Sequence, residues 1–191
     1  MFFDEEWFRL INGWAGQFPA LDWLMFQCSQ ESNLLIPGIL AVGYWAWTQW
    51  DKAKFAAPCL GLLIGLSDLL GGQLKNMVAR PRPCQILSHI YKMVGCGGSF
   101  SMPSNHAVNS STAVAFLVVL YPSLGWVLWP LMALIGLSRV YLGAHYVTDV
   151  LVGWAIGLVL GGCVAYFLKV KVFSQEERKR EDDPNSKTSK S

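Results

Sequence analysis

Long uncharged stretches of apolar residues dominate the chain. Residues 34–50, 107–138 and 150–168 carry no charged side chain, and residues 55–74 carry only Asp68. A helix needs about 20 apolar residues to cross the hydrocarbon core of a bilayer. The stretch 107–138 is long enough for two such helices, and Pro122-Ser-Leu-Gly125 interrupts it with residues typical of a turn. The pattern therefore predicts five transmembrane helices.

The two ends of the chain follow other patterns. Near the N-terminus, large apolar residues recur at helical spacing between charged ones; they are Phe2, Phe3, Trp7, Leu10, Ile11 and Trp14. This predicts an interfacial amphipathic helix within residues 1–20. Residues 21–28 either extend the first transmembrane helix or add a short sixth one. Residues 174–191 are charged and serine-rich without apolar periodicity, which predicts a disordered tail.

Composition supports the same fold class. Apolar residues make up 53% of the chain and charged residues 15%, a balance too apolar for an ordinary soluble domain. No basic stripe is interleaved with exposed aromatic residues, so nucleic acid is a poor candidate partner. We predict one membrane-embedded domain, residues 1–173, that is all-α: a polytopic integral membrane helical bundle of five or six transmembrane helices. The sequence leaves the oligomeric state open.

Basic residues in short loops indicate the orientation of the bundle. Lys52 and Lys54 follow the first predicted span, and Lys169 and Lys171 follow the last. With five spans these positions lie on one face, which we expect to be cytoplasmic together with the tail. The opposite face then carries the loop 75–102 and the junction 143–146. In a bacterial inner membrane, that face points to the periplasm or the outside.

Three short segments at the non-cytoplasmic ends of the spans carry candidate chemistry. The first runs from Lys75 to Arg82-Pro83, and the second is Pro103-Ser104-Asn105-His106. The third begins at Ser138-Arg139 and continues with His145 and Asp149. Together they hold four cations, two histidines and a carboxylate on one side of the membrane.

These side chains suit the transfer of a phosphoryl group. Lys75, Arg82 and Arg139 provide the positive charge that a phosphate ester requires. Ser104 precedes a long helix, whose first N–H groups favour an anion. If their helix starts early enough, His145 and Asp149 share one face, and Asp149 then orients His145 for attack. His106 is placed to protonate the leaving oxygen.

Other polar residues near these segments have weaker assignments. Arg80 is an alternative to Arg82 for contact with the substrate, and Asn105 is a further candidate. Asp68 lies within a predicted span, where an ionisable group is costly, and either pairs with a cation or makes a structural contact. His89 is expected to be an ordinary exposed residue. No Asp, Glu or His cluster has metal-ligand spacing, so neither a metal nor another cofactor is expected.

The three segments closely resemble the signature motifs of the type 2 phosphatidic acid phosphatase superfamily. That family carries Lys-x6-Arg-Pro, Pro-Ser-Gly-His and Ser-Arg-x5-His-x3-Asp; here Asn105 replaces the usual glycine. The resemblance implies a helical membrane bundle and a metal-independent reaction through a phosphohistidine. It makes His145 the nucleophile, Asp149 its partner and His106 the acid. The implied phosphate ligands are Lys75, Arg82, Ser104 and Arg139.

The resemblance also guides the expected substrate, which is a lipid phosphate or diphosphate within the membrane. Similarity to short bacterial members favours undecaprenyl diphosphate. Phosphatidylglycerophosphate, another glycerolipid phosphate or lipid A is the alternative. A vanadate-dependent haloperoxidase shares such a cradle, but its soluble members lack membrane spans. A non-enzymatic lipid-binding protein would not need the complete set of catalytic side chains.

Two cysteines lie in the loop that follows Arg82. Cys84 and Cys96 are on the face assigned as non-cytoplasmic, where a disulfide is permitted. Either they form a bridge that restrains Arg82, or they are free thiols in a mobile loop. The sequence leaves both alternatives open.

Overall fold

The computed structural model describes residues 2–98 and 100–174, and every regular element in that part of the chain is helical. The elements are α1 (Phe2–Asn12), α2 (Pro19–Ser29), α3 (Glu31–Thr48), α4 (Trp50–Val78), α5 (Pro83–Ile86), α6 (Asn105–Leu120), α7 (Gly125–Tyr141) and α8 (Val147–Leu168). A 3₁₀ turn, Pro122–Leu124, joins α6 to α7, and a π-helical turn, Lys169–Phe173, follows α8. The predicted all-α class and the predicted break in the stretch 107–138 are confirmed. The predicted tail lies almost entirely outside the described residues.

Three of the described helical segments are long and apolar enough to cross a membrane. They are Trp50–Ile86, Pro122–Tyr141 and Val147–Lys171, and the shorter α6 is also apolar. Many of their large apolar side chains face outward, as lipid contact requires; Leu62, for example, is 72% exposed. Residues 21–28 do not extend α3, because extended backbone at Gln30 separates α2 from it. At 11 residues, α2 is shorter than a span needs.

The close contact between α6 and α8 organises the bundle around the candidate site. Gly153, Gly157 and Gly161 follow one another at four-residue spacing on α8 and face α6. A Cβ atom at Gly153 would lie 2.8 Å from Ala107 Cβ and 2.9 Å from Ser104 O, so only glycine permits this approach. The approach brings the start of α6 to the start of α8, where Ser104 N donates to Asp149 O at 3.0 Å.

The opposite end of the bundle holds the predicted cytoplasmic residues together. Trp45 Nε1 donates to the Tyr121 hydroxyl at 2.8 Å, which links α3 to the α6–α7 turn. Lys169 Nζ donates to Val119 O at 3.2 Å and so ties the end of α8 to the same place. The basic residues after α8 and the three segments with candidate chemistry therefore lie at opposite ends of the helices.

Helix α1 packs against the end of the bundle that carries the candidate site. Asp4, Phe8 and Asn12 are buried and spaced four residues apart, so they form one face of the helix. Phe3, Trp7, Leu10 and Trp14 are exposed on the other side. An apolar outer face suits a lipid environment, and the position of α1 at the membrane surface stays a prediction.

The loop that follows Arg82 is closed by a disulfide between Cys84 and Cys96, whose Cα atoms are 5.8 Å apart. Gly97 follows the bridge in a left-handed conformation, with φ at +62°. A Cβ atom there would lie 3.7 Å from Arg82 Cζ. Of the two alternatives left by the sequence, the structure has the bridge, and it holds the loop against Arg82.

Candidate active site

The predicted site residues meet at one end of the bundle. Each lies near a helix terminus: Lys75 in the last turn of α4, Arg82 before α5, Ser104 before α6, Arg139 in the last turn of α7 and Asp149 in the first turn of α8. All five are buried, although four are charged. Arg82 and Arg139 lie within electrostatic range of His145, which occupies the loop between α7 and α8. The structure thus brings together segments that are far apart in sequence.

One ring nitrogen of His145, Nδ1, faces Asp149 and Ser101. Nδ1 lies 3.6 Å from Asp149 Oδ2 and 3.5 Å from Ser101 Oγ. The imidazole is almost completely buried, and burial, with Arg82 and Arg139 acting in the same direction, lowers the pKa of His145 to about 4. The ring is therefore neutral at pH 7, and Nε2 is the nitrogen available for attack.

Asp149 is fixed by donors on both of its carboxylate oxygens. Oδ2 accepts the Ser101 hydroxyl and the Tyr146 backbone N–H, the latter at 2.8 Å. Oδ1 accepts Arg80 Nη1 at 2.7 Å. The condition for a helix face shared with His145 is not met, because α8 begins at Val147, after His145. Asp149 reaches His145 from the first turn of α8 while its carboxylate caps that turn.

Ser104 and Asn105 at the start of α6 have different surroundings. The Ser104 hydroxyl is fully buried and has no hydrogen-bond partner among the described residues. It is therefore available to an anion beside the helix N-terminus. The Asn105 amide donates to Asp68 Oδ1 at 2.8 Å, and the Asn109 amide donates to the same oxygen at 3.0 Å. In the part of the chain that the structure describes, the Asp68 carboxylate therefore contacts amides on α6 rather than a cation.

His106 and Arg139 meet at Ser29, where α2 ends. His106 Nε2 lies 3.2 Å from Ser29 O, and Arg139 Nη1 donates to the Ser29 hydroxyl. A cavity of about 290 Å³ opens here. It is lined by Ser29, Gln30, Ser32, Val94, His106 and Arg139. The junction of α2 and α3 therefore forms one wall of the space beside the predicted acid.

Arg80 occupies a different place from Arg82. Its guanidinium contacts Asp149, Thr148 and Asp4, and its Cζ lies 4.1 Å from the centre of the Tyr146 ring. These contacts place Arg80 behind Asp149, on the side away from His145, whereas Arg82 lies within electrostatic range of His145. Within the described residues, no group of three or more His, Cys, Asp or Glu side chains is arranged to hold a metal ion.

The sequence interpretation missed three residues of the site: Asp4, Ser29 and Ser101. Ser29 contacts both His106 and Arg139, and Ser101 contacts both His145 and Asp149. Neither residue belongs to a spaced motif. Asp4 shares a face of α1 with Phe8 and Asn12, and only the packed structure shows that this face is buried.

Comparisons with known proteins identify relatives of this chain. The sequence model of the PAP2 superfamily matches residues 56–173. The chain is 34% identical over 160 residues to an undecaprenyl-diphosphatase of Sulfolobus acidocaldarius, covering 81% of this chain and 73% of that protein. It is 40% identical over 157 residues to a lipid A 1-phosphatase of Helicobacter pylori, covering 78% and 74%.

A solved structure is similar as well. The crystal structure of a transmembrane PAP2 type phosphatidylglycerolphosphate phosphatase from Bacillus subtilis superposes with a TM-score of 0.65 at 28% identity. The superposition covers 88% of this chain and 85% of that one. The similarity therefore extends beyond the residues that carry the motifs.

Proposed function

This chain belongs to the PAP2 superfamily of membrane lipid phosphatases, and from that membership we propose that it hydrolyses a lipid phosphate or diphosphate through a phosphohistidine on His145. The observation that carries the mechanism is the position of His145. Its Nδ1 faces Asp149 and Ser101, Nε2 is left for attack, and Arg82 and Arg139 lie within electrostatic range. Protein side chains supply the nucleophile, the acid and the charge, so the proposed reaction is independent of a metal.

In the first step, the lone pair of His145 Nε2 forms a bond to phosphorus. The bond between phosphorus and the leaving oxygen breaks, its electron pair stays on that oxygen, and protonated His106 donates a proton to it. The negative charge of the bound substrate stabilises the protonated form of His106. Lys75, Arg82 and Arg139, with the Ser104 hydroxyl, stabilise the charge on the transferring group.

In the second step, water attacks the phosphohistidine. His106, now neutral, takes a proton from the water, and a bond forms between the water oxygen and phosphorus. The bond between phosphorus and His145 Nε2 breaks, and its electron pair returns to the ring. Inorganic phosphate leaves, and the two histidines recover the states in which they began.

We propose undecaprenyl diphosphate as the substrate, with undecaprenyl phosphate as the product. The similarity to the Sulfolobus acidocaldarius undecaprenyl-diphosphatase supports this choice. The similarity to the Helicobacter pylori lipid A 1-phosphatase favours lipid A as the second candidate, and the Bacillus subtilis structure adds phosphatidylglycerophosphate. Each of these three lipids carries its phosphate at the membrane surface. We propose that the site faces the periplasm or the outside of a bacterial inner membrane and that the tail lies in the cytoplasm.

The test is phosphate release by the purified full chain in detergent. Undecaprenyl diphosphate, undecaprenyl phosphate, lipid A and phosphatidylglycerophosphate are compared at equal concentration, with His145→Ala as the control. We expect the highest kcat/KM for undecaprenyl diphosphate. A higher value for another lipid reassigns the substrate. No release from any of them, with lipid still bound, identifies a lipid-binding protein instead of an enzyme.

A further inference from the structure

The carboxylate that faces His145 is held from behind by a chain of ionic contacts that ends on α1. Arg80 Nη1 donates to Asp149 Oδ1 at 2.7 Å, and Arg80 Nη2 donates to Asp4 Oδ2 at 2.5 Å. One guanidinium therefore bridges two carboxylates, one from the start of α8 and one from the first helix of the chain. Since Asp4 precedes residues 56–173, the family motifs carry no information about it.

Thr148 closes this bridge into a network. Its backbone N–H donates to Asp4 Oδ1 at 3.1 Å and its hydroxyl to Asp4 Oδ2 at 2.5 Å. Arg80 Nη1 also contacts the Thr148 hydroxyl, at 2.7 Å. Asp4 thus fixes both Arg80 and the residue next to Asp149 in sequence, and it leaves the guanidinium little freedom to rotate.

The network is shielded from solvent. The side chain of Asp149 is fully buried, and those of Asp4 and Arg80 are 8% and 15% exposed. Charge interactions in such surroundings are screened far less than on a surface. Loss of the Asp4 charge would leave Arg80 with Asp149 as its remaining carboxylate partner, and the arginine would be able to pull that group away from His145.

The docking of α1 keeps Asp4 in place. Phe8 packs edge-on against Tyr146 with ring centroids 5.6 Å apart, and the Asn12 amide donates to Tyr141 O at 2.8 Å. Asp4, Phe8 and Asn12 therefore contact the segment 141–148 at three points, and that segment contains His145.

We propose that Asp4 is a positioning residue for the phosphatase reaction, acting through Arg80 to orient Asp149 and, through it, His145. The inference rests on the proposed function, since it assumes that His145 is the nucleophile. It predicts that the loss of Asp4 impairs the chemical step and leaves the binding of phosphate largely unchanged, because the cations facing the substrate are untouched.

The test uses the full chain with Asp4→Asn and, as matched control on the same helix, Glu5→Gln. Glu5 is an exposed carboxylate that pairs with Arg9 at 2.9 Å, away from Asp149. We expect Asp4→Asn to lower kcat by about 10- to 100-fold, a loss typical when a residue that orients an active-site side chain is removed. KM should stay within about 2-fold, Glu5→Gln should keep wild-type kinetics, and Asp4→Glu should recover part of kcat.

A double-mutant cycle tests the route through Arg80. Arg80→Gln should lower kcat at least as much as Asp4→Asn, and the double variant should be no slower than Arg80→Gln alone. Losses that multiply in the double variant overturn the proposal, as does wild-type kcat in Asp4→Asn. Both of those results leave the proposed function intact, which fails only if the wild-type chain releases no phosphate.

Asn12→Ala separates positioning from folding, because it removes a buried contact of α1 that does not touch Arg80. If Asp4→Asn is too unstable to purify, the double-mutant cycle is measured with Asp4→Glu and Arg80→Lys instead. We expect Asn12→Ala to lower the unfolding temperature with a smaller loss of kcat than Asp4→Asn. An equal loss of kcat in both variants overturns the specific role of Asp4.

Discussion

The two histidines of the site differ in burial and in the groups that they contact. His145 is 2% exposed and lies against a carboxylate that itself has donors on both oxygens. His106 is half-buried beside a cavity, and its Nε2 faces a backbone carbonyl, that of Ser29, at 3.2 Å. A nucleophile must be aimed before the substrate arrives, whereas an acid has to exchange a resting contact for the leaving oxygen. The difference in surroundings fits this division of labour.

Removal of the nucleophile should have the largest effect. His145→Ala is expected to lower kcat by at least about 10⁴-fold, because no other described side chain takes its place as the attacking group. Phosphate release from the lipid panel measures the loss, and the retention time in detergent checks that the protein is folded. Activity above a few per cent of the wild type would remove His145 from the nucleophile role.

Loss of the carboxylate partner should come next. Asp149→Asn is expected to lower kcat by about 10²- to 10⁴-fold. The asparagine amide orients the Nδ1–H of His145 less well than the carboxylate does, while the nucleophile itself remains. Mass spectrometry follows the formation of phosphohistidine directly, as phosphate on the protein that acid removes. Rapid formation in this variant would contradict the role of Asp149 in orienting His145.

The predicted acid should show a loss that depends on the leaving group. His106→Ala is expected to lower kcat by about 10²-fold or more with a lipid substrate, whose leaving oxygen needs a proton. With p-nitrophenyl phosphate, which needs no proton on departure, the first step should recover and phosphohistidine should accumulate. His145→Ala should recover with neither substrate. Equal losses with both substrates would contradict the acid role of His106.

The sequence predicts much of this arrangement because its parts are local. Apolar stretches are read directly as spans, the turn at Pro122 follows from residue types, and the spaced motifs identify His106, His145 and Asp149. The residues that support the site could not be predicted in this way. Their partners are distant in sequence: 77 residues separate Ser29 from His106, 48 separate Ser101 from Asp149 and 76 separate Asp4 from Arg80. These contacts exist only once the helices are packed. The close approach of α6 and α8 along Gly153, Gly157 and Gly161 was not predicted either.

Substitution of Ser29 should have a small effect, in contrast to Asp149. The carbonyl that faces His106 Nε2 is present whatever the side chain, so Ser29→Ala leaves that contact in place. It removes only the hydroxyl that accepts from Arg139. We expect KM to rise by about 2- to 10-fold, the value of one ordinary hydrogen bond, and kcat to stay within about 2-fold. A loss of kcat as large as that of Asp149→Asn would show that the side chain has a chemical role.

Acid should produce the smallest effect on the nucleophile. Burial lowers the pKa of His145 to about 4, so the ring stays neutral between pH 7 and pH 5. An unperturbed histidine, with a pKa of about 6.5, would be mostly protonated at pH 5 and would lose roughly 30-fold in reactivity. We therefore expect kcat/KM of His106→Ala for p-nitrophenyl phosphate, referred to the concentration of the phosphate dianion, to change by less than about 2-fold over this interval, because that variant lacks the general acid. An acid limb centred near pH 6.5 in that variant would contradict the low pKa of His145.

The same pKa has the opposite consequence for folding. Above pH 6.5 His145 is neutral in the folded and the unfolded chain and contributes nothing to the pH dependence of stability. As the pH falls from about 6.5 toward 4, the unfolded chain takes up the proton first, so the free energy of unfolding decreases through this residue. Unfolding in mild denaturant at pH 7 and pH 5 measures the decrease against His145→Asn. An equal decrease in the wild type and in His145→Asn would contradict the low pKa of His145 in the folded chain.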